Sequence, residues 1–180
     1  MLDGEKNIIE RAIGGEASAF GLLYDHYQPQ IYRFVYLKVS HREEAEDLTH
    51  QVFLSAWQNI TKYQYQGHLF SSWLYSIARN KVIDHYRTRK PLTNIEFVAE
   101  TEIQINSNGE LNLDGRIEME KVKKAIVSLL NDTEQDVIIM KFVEDLSQKE
   151  IAEIINKSEG AIKVIQHRAL KKLKDSLNQN

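Results

Sequence analysis

The sequence predicts an all-α protein of two small helical domains joined by a flexible acidic linker. Three observations lead there. Apolar residues recur at helical spacing almost everywhere except residues 92–115. That stretch holds Asn106-Ser-Asn-Gly109 and Asp114-Gly115 and has no sustained period. Charge divides the same way: residues 92–120 carry 1 Lys or Arg against 7 Asp or Glu, whereas 1–91 carry 11 against 10 and 121–180 carry 11 against 9. The predicted organisation is a first domain over 1–91, an acidic linker over 92–115 and a second domain over 116–180.

Each element follows from local signals. Ala19, Phe20, Leu23, Tyr24 and Tyr27 share one side of a helix over 16–27. Pro29 suits the first turn of a second helix running to about Val39. Residues 43–59 form a longer helix whose acidic first turn suits the helix dipole, with Leu48, Val52, Phe53 and Trp57 as its core. A fourth helix runs from about Phe70 to Arg89. Pro91 ends it, because the residue before a proline is pushed out of helical geometry. Helices resume at about 116–130, 133–143, 147–155 and 159–176. With no apolar pattern bridging the acidic stretch, the two domains are expected to fold as separate units.

Residues 146–174 carry the sharpest functional signal. Ser147 and Glu150 make a capping box, and Ile151, Ala152 and Ile155 form the apolar face of the short helix it starts. Asn156 can adopt the left-handed conformation that stops that helix, and Ser158 can cap the next. Ile162, Ile165, Ala169 and Leu173 give the second helix an inner stripe. Lys163, His167, Lys171 and Lys174 fall on its other side. A basic helix held by a short packed helix before it fits a DNA major groove. A solvated Lys-rich face would look similar in charge alone. The small Ala152, Asn156 at the turn and the isoleucine spacing favour DNA.

The first domain holds a second basic run, with Arg79, Lys81, Arg87, Arg89 and Lys90 against Asp84. Aromatics interleave with these cations from Tyr63 to Tyr86. Rings that stack on bases beside cations that hold phosphates suit single-stranded nucleic acid. Phe70, Trp73, Leu74, Ile77 and Ala78 have the spacing of a buried face, which leaves Tyr63 and Tyr65 as the stacking candidates.

Other classes are disfavoured. The chain has no cysteine, hence no disulfide framework and no cysteine–zinc site. No run approaches membrane-spanning length and the first residues lack a signal-peptide core, so no membrane insertion is expected and the cytoplasm is the expected location. Asp47 and His50 lie one turn apart near Glu43 and Glu46, but a helical metal site would need a matching set on a facing helix. There is no phosphate-binding glycine loop and no nucleophile set, so no catalysis, metal or cofactor is expected.

Two blocks carry a resemblance to a known family. Ala45-Glu-Asp-Leu-Thr-His-Gln-Val-Phe-Leu-Ser-Ala-Trp57, followed by Phe70-Ser-Ser-Trp-Leu-Tyr-Ser-Ile-Ala-Arg-Asn80 with Asp84 and Arg87, resembles the second conserved region of bacterial sigma factors. The helix-turn-helix at 146–174, with Glu159-Gly-Ala-Ile-Lys163 and His167-Arg-Ala169, resembles the fourth. Having these two regions alone, with a short linker, is similar to the extracytoplasmic-function (ECF) group of the sigma-70 family. The match covers about 16–90 and 117–176.

That resemblance implies a dissociable subunit that directs RNA polymerase to promoters and assists their melting. Asp47, His50 and Gln51 would bind the β′ clamp of the polymerase core, and the second domain would meet the β flap. Lys62, Tyr63, Tyr65, Arg79, Asn80, Lys81 and Arg87 would take the −10 element as a single strand. Lys163, Val164, Gln166, His167, Arg168 and Lys171 would enter the major groove of the −35 element. The acidic linker would thread toward the RNA exit path, and an anti-sigma factor is an expected partner. Two departures stand out. His50-Gln51 replaces the family's usual Gln-Glu, and Val164-Ile165-Gln166 replaces a frequent Ser-Arg-Leu. Gln166 can bond an adenine edge and Val164 can meet a thymine methyl. The alternative readings are a sigma-like decoy or adapter that captures an anti-sigma factor, and a stand-alone helix-turn-helix regulator.

Overall fold

The computed structural model describes residues 2–63, 69–88 and 125–177. Residues 92–115, expected as the linker, lie outside the described residues, as does Tyr65. Among the described residues there are seven α-helices, a 3-10 turn at Ile60–Lys62 and a helical stretch at 125–129. The helices are α1 Glu5–Ile13, α2 Ala17–Val39, α3 Arg42–Asn59, α4 Phe70–Thr88, α5 Asp132–Phe142, α6 Gln148–Ile155 and α7 Glu159–Leu177. No strand occurs among the described residues, so the all-α expectation stands.

Two local readings are corrected. The stretch expected as two helices broken at Pro29 is one helix, α2, with Pro29 inside it. Proline removes one backbone donor and costs roughly 3 kcal/mol in a helix interior. Pro29 and Asp25, whose carbonyl loses its partner, are both exposed, so water can satisfy that carbonyl. The flanking residues Tyr27, Ile31, Phe34 and Val35 are buried, and their burial outweighs the defect. Helix α1 was not anticipated. Its Ile9 and Ala12 are buried, and the buried Tyr27 hydroxyl of α2 donates to Glu5, fastening α1 to the bundle.

The first half is a bundle of α1–α4. Phe20 meets Trp57 with ring centroids 5.0 Å apart, and Tyr24 meets Phe53 at 4.7 Å. Leu48, Val52 and Phe53 are buried and Trp57 packs against the core, as their spacing predicts.

In the second half, Ser147 accepts from the Glu150 N–H at 3.2 Å while Glu150 accepts from the Ser147 N–H at 2.8 Å. Asn156 stands at φ 56°, ψ 54° and closes α6. Ser158 accepts from the Ala161 N–H at 3.2 Å, which starts α7. The same chemistry opens α5, where Asn131 and Glu134 form a second capping box.

The halves do not stand apart as expected. One buried apolar cluster runs from Leu23, Ile31 and Phe34 through Leu74 and Tyr75 into Val137, Met140, Ile151 and Ile155. A smaller core of Ala125, Leu130, Ile138, Ala169 and Leu173 lies wholly in the second half. Helix α4 packs on α6, and α2 packs on α5. Helix α5 is buried on every side from Glu134 to Met140: Val137, Ile139 and Met140 join the shared cluster and Ile138 joins the smaller core.

Candidate nucleic-acid and polymerase interfaces

Helix α7 is held from beneath. Ile162 and Ala169 are fully buried, Leu173 is nearly so, and Ile165 packs against the core. At about 100° per residue, Lys163, Val164, His167, Arg168 and Lys171 fall within an arc of about 140° on the opposite side. All five are exposed. Gln166 lies outside that arc, half-buried at the margin, where its side-chain oxygen accepts from the Gln148 amide at 3.4 Å. The face is therefore three cations, a histidine and an apolar Val164, with Gln166 tied to the preceding helix.

Helix α3 presents the second face. Asp47, His50 and Gln51 are exposed together, as their spacing predicts. Sequence reasoning missed Leu54, which is 57 % exposed in the same stripe, between Asp47 and Gln58. The available signal was its phase: Leu54 lies about 160° around the helix from Val52, so it cannot share that core face.

The residues expected to take single-stranded DNA do not form one surface. Tyr63 is buried, with ring centroids 5.4 Å from Phe70 and 5.3 Å from Trp73, so in this arrangement it is a core residue and not a stacking platform. Arg79 is half-buried, and its Nε donates to Asp136 at 2.8 Å. Asn80 and Arg87 are exposed two turns apart on one side of α4, with Arg87 3.5 Å from Asp84. Lys81 is half-buried and about 100° away from Asn80. Lys62 is exposed and donates to the Asn59 side chain at 3.0 Å.

No group of three or more His, Asp or Glu suited to a metal ion occurs among the described residues. No described helix is long and apolar enough to cross a membrane.

A helical fold ending in a buttressed helix-turn-helix with a basic outer face defines a protein of the helix-turn-helix class. Residues 23–91 match the family model for Sigma-70 region 2, and residues 126–175 match that for Sigma-70, region 4. The ECF RNA polymerase sigma factor SigW of Bacillus subtilis is 33% identical over 96% of each chain. The ECF RNA polymerase sigma factor BldN of Streptomyces coelicolor is 37% identical over 92% of this chain, which spans 63% of that relative's length. Among solved structures, the sigma factor RpoE of Bartonella quintana, in complex with the anti-sigma factor NepR, is 25% identical with a TM-score of 0.72. That match covers 88% of this chain and 96% of RpoE. The chain belongs to the ECF sigma factors of the sigma-70 family.

Proposed function

We propose that this chain is a non-catalytic, dissociable subunit that brings core RNA polymerase to specific promoters in the cytoplasm. The observation that carries the reading is the outer face of α7. Five exposed side chains on one arc, backed by buried Ile162 and Ala169, give a rigid helix with cations for phosphates and Val164 and His167 for base edges. That face is assigned to the −35 element.

The stripe Asp47, His50, Gln51 and Leu54 on α3 is assigned to the polymerase clamp. Leu54 adds apolar area to that polar stripe, which a docked protein surface could cover. Replacement of the family's usual carboxylate by Gln51 shifts weight onto Leu54 and Asp47. The exposed Asn80, Arg87 and Lys62 are assigned to the −10 strand, with Arg79 available once its pairing with Asp136 is released. The second half is assigned to the β flap.

An anti-sigma partner is supported by the likeness to RpoE, which was solved in such a complex. A decoy that only captures an anti-sigma factor has no need of cations along α7.

The test is run-off transcription with purified core polymerase. Duplexes enriched by the full chain from a randomised pool serve as templates. Transcripts that start at a fixed distance from the enriched element, and only when the chain is present, are the expected result. Enrichment of a duplex without any start site would leave a stand-alone regulator instead.

A further inference from the structure

We infer that the cavity walled by α2, α4 and the first turns of α5 is a binding site for a small ligand bearing a protonated phosphate group. The site does not rest on the promoter-binding reading above.

The cavity is about 180 Å³. A cavity of about 150 Å³ already admits a single six-membered ring. Lys38 of α2, Arg79 and Arg87 of α4, and Asp132 and Asp136 of α5 form its polar wall. Val82, Ile83 and Tyr86 of α4 form its apolar wall. The Tyr86 hydroxyl donates to the Lys38 carbonyl at 2.7 Å, which fixes the ring at the cavity while the residue stays 44 % exposed.

The bonds already made leave donors for a phosphate. Arg79 uses its Nε on Asp136 Oδ2 at 2.8 Å, and neither of its Nη groups makes a hydrogen bond among the described residues. Arg87 Nη1 lies 3.5 Å from Asp84 Oδ1 with both side chains largely exposed, so that pairing is loose. Lys38 is buried and donates to the Asp132 carbonyl at 3.2 Å. The guanidinium groups of Arg79 and Arg87, whose planar forks match phosphate oxygens, are the phosphate-holding pair.

Asp136 sets which phosphate is accepted. Its side chain is 2 % exposed. Its Oδ1 lies 2.9 Å from Lys38 Nζ but accepts no aligned hydrogen bond among the described residues. A buried acceptor in that state costs free energy, and a closed set of ion pairs would leave neither such an oxygen nor a cavity beside it. A phosphate carrying one proton supplies the missing donor: its P–OH donates to Oδ1 while its other oxygens accept from the guanidinium groups. Sulfate and phosphodiesters, the DNA backbone included, have no proton near neutral pH and present only acceptor oxygens to Oδ1. The carboxylate therefore rejects both.

The space beside the phosphate, against the Tyr86 ring, suits the carbon skeleton of a monoester no larger than a sugar phosphate. Free inorganic phosphate shares the recognised group and is the other source. Arg79 and Arg87 are also assigned to the −10 strand, so on that assignment a bound ligand withholds both from DNA.

Isothermal titration calorimetry of the full-length protein tests the site at about pH 6, where a phosphate monoester is about half protonated. The probes are ribose-5-phosphate, inorganic phosphate, sulfate and dimethyl phosphate at matched ionic strength. Saturable binding of the first two is expected, with sulfate and dimethyl phosphate weaker by about tenfold or more. Tighter binding of ribose-5-phosphate than of phosphate assigns the site to a monoester, and equal binding assigns it to free phosphate. Arg87→Gln changes an exposed side chain and should weaken both phosphate ligands about tenfold. Asp136→Asn, checked by circular dichroism, should bring sulfate within about twofold of phosphate. If that variant does not fold, the wild-type comparison with sulfate and the Arg87→Gln titration decide the matter. No saturable binding, sulfate as tight as phosphate in the wild type, or Arg87→Gln without effect would each overturn the site.

Discussion

Lys172 of α7 places its Nζ 2.9 and 2.8 Å from the two carboxylate oxygens of Glu134. Glu134 is also the reciprocal member of the Asn131 capping box, so one buried carboxylate both starts α5 and anchors α7. Burial pushes its pKa up. The hydrogen bonds from Lys172 and the Asn131 N–H, with the charges of Lys172 and Arg168, reverse this and leave it below the ordinary value.

Glu134→Gln should therefore destabilise the protein by about 1–2 kcal/mol at neutral pH, through a weakened cap and a lost charge-assisted bond. The sign of the pH dependence follows from a folded pKa below the unfolded one. The contribution is complete above the ordinary carboxylate range and disappears as pH falls through the folded value. Thermal melts of wild type and variant should thus converge on acidification below about pH 4. A melting-point gap that stays constant from neutral to acid would show that the Glu134 charge contributes nothing.

Tyr63 tests the core assignment on the other side of the molecule. Its ring is buried between Phe70 and Trp73. Tyr63→Ala should cost about 3 kcal/mol of stability, in the range for loss of a large buried side chain. Binding of an oligothymidine strand by the folded fraction should not change. A normal melting curve with a large loss of strand binding would restore Tyr63 as a stacking residue.

The order and type of the helices were legible because their start and stop signals are chemical and local. Ser147 with Glu150, Asn156 and Ser158 each perform the task their side chains suggest. The outer face of α7 was legible for the same reason, since the phase of Ile162, Ala169 and Leu173 leaves Lys163, His167 and Lys171 outside. Pro29 misled because propensity is only a weak prior, and buried neighbours on both sides kept α2 whole. Arg79 misled for a different reason. A cation in a basic run is read as free, and its partner Asp136 lies 57 positions away with no local sign of the pairing. Gln166 lay where its phase suggested, at the core margin, but its bond to Gln148 depends on the turn between α6 and α7.

The α3 stripe yields a prediction that separates docking from folding. Asp47 and Leu54 are both exposed, so neither Asp47→Lys nor Leu54→Ala should move the melting temperature by more than about 0.5 kcal/mol equivalent. Both should weaken core-polymerase binding, by about fivefold or more if each sits at the centre of the interface. Unchanged pull-down of core polymerase with both variants would remove the clamp assignment from this face.

Lys163, Arg168 and Lys171 are exposed cations with freedom to follow phosphates, whereas Val164 and His167 stand between them on the same arc. Lys171→Ala should weaken binding to every duplex alike and reduce the slope of log affinity against log salt by about one unit. Val164→Ala should leave that slope intact and lower the preference at one thymine position by about 1 kcal/mol, through loss of methyl contact. Gln166 must first give up its bond to Gln148, so a base contact from it would be made at the expense of that bond. Gln148→Ala therefore strengthens any Gln166 readout, while Gln166→Ala abolishes it. Enrichment of a randomised duplex pool by the full chain and these four variants, at two salt concentrations, measures all of this at once. If Lys171→Ala alters sequence preference while Val164→Ala does not, the assignment of phosphate and base contacts along α7 is reversed.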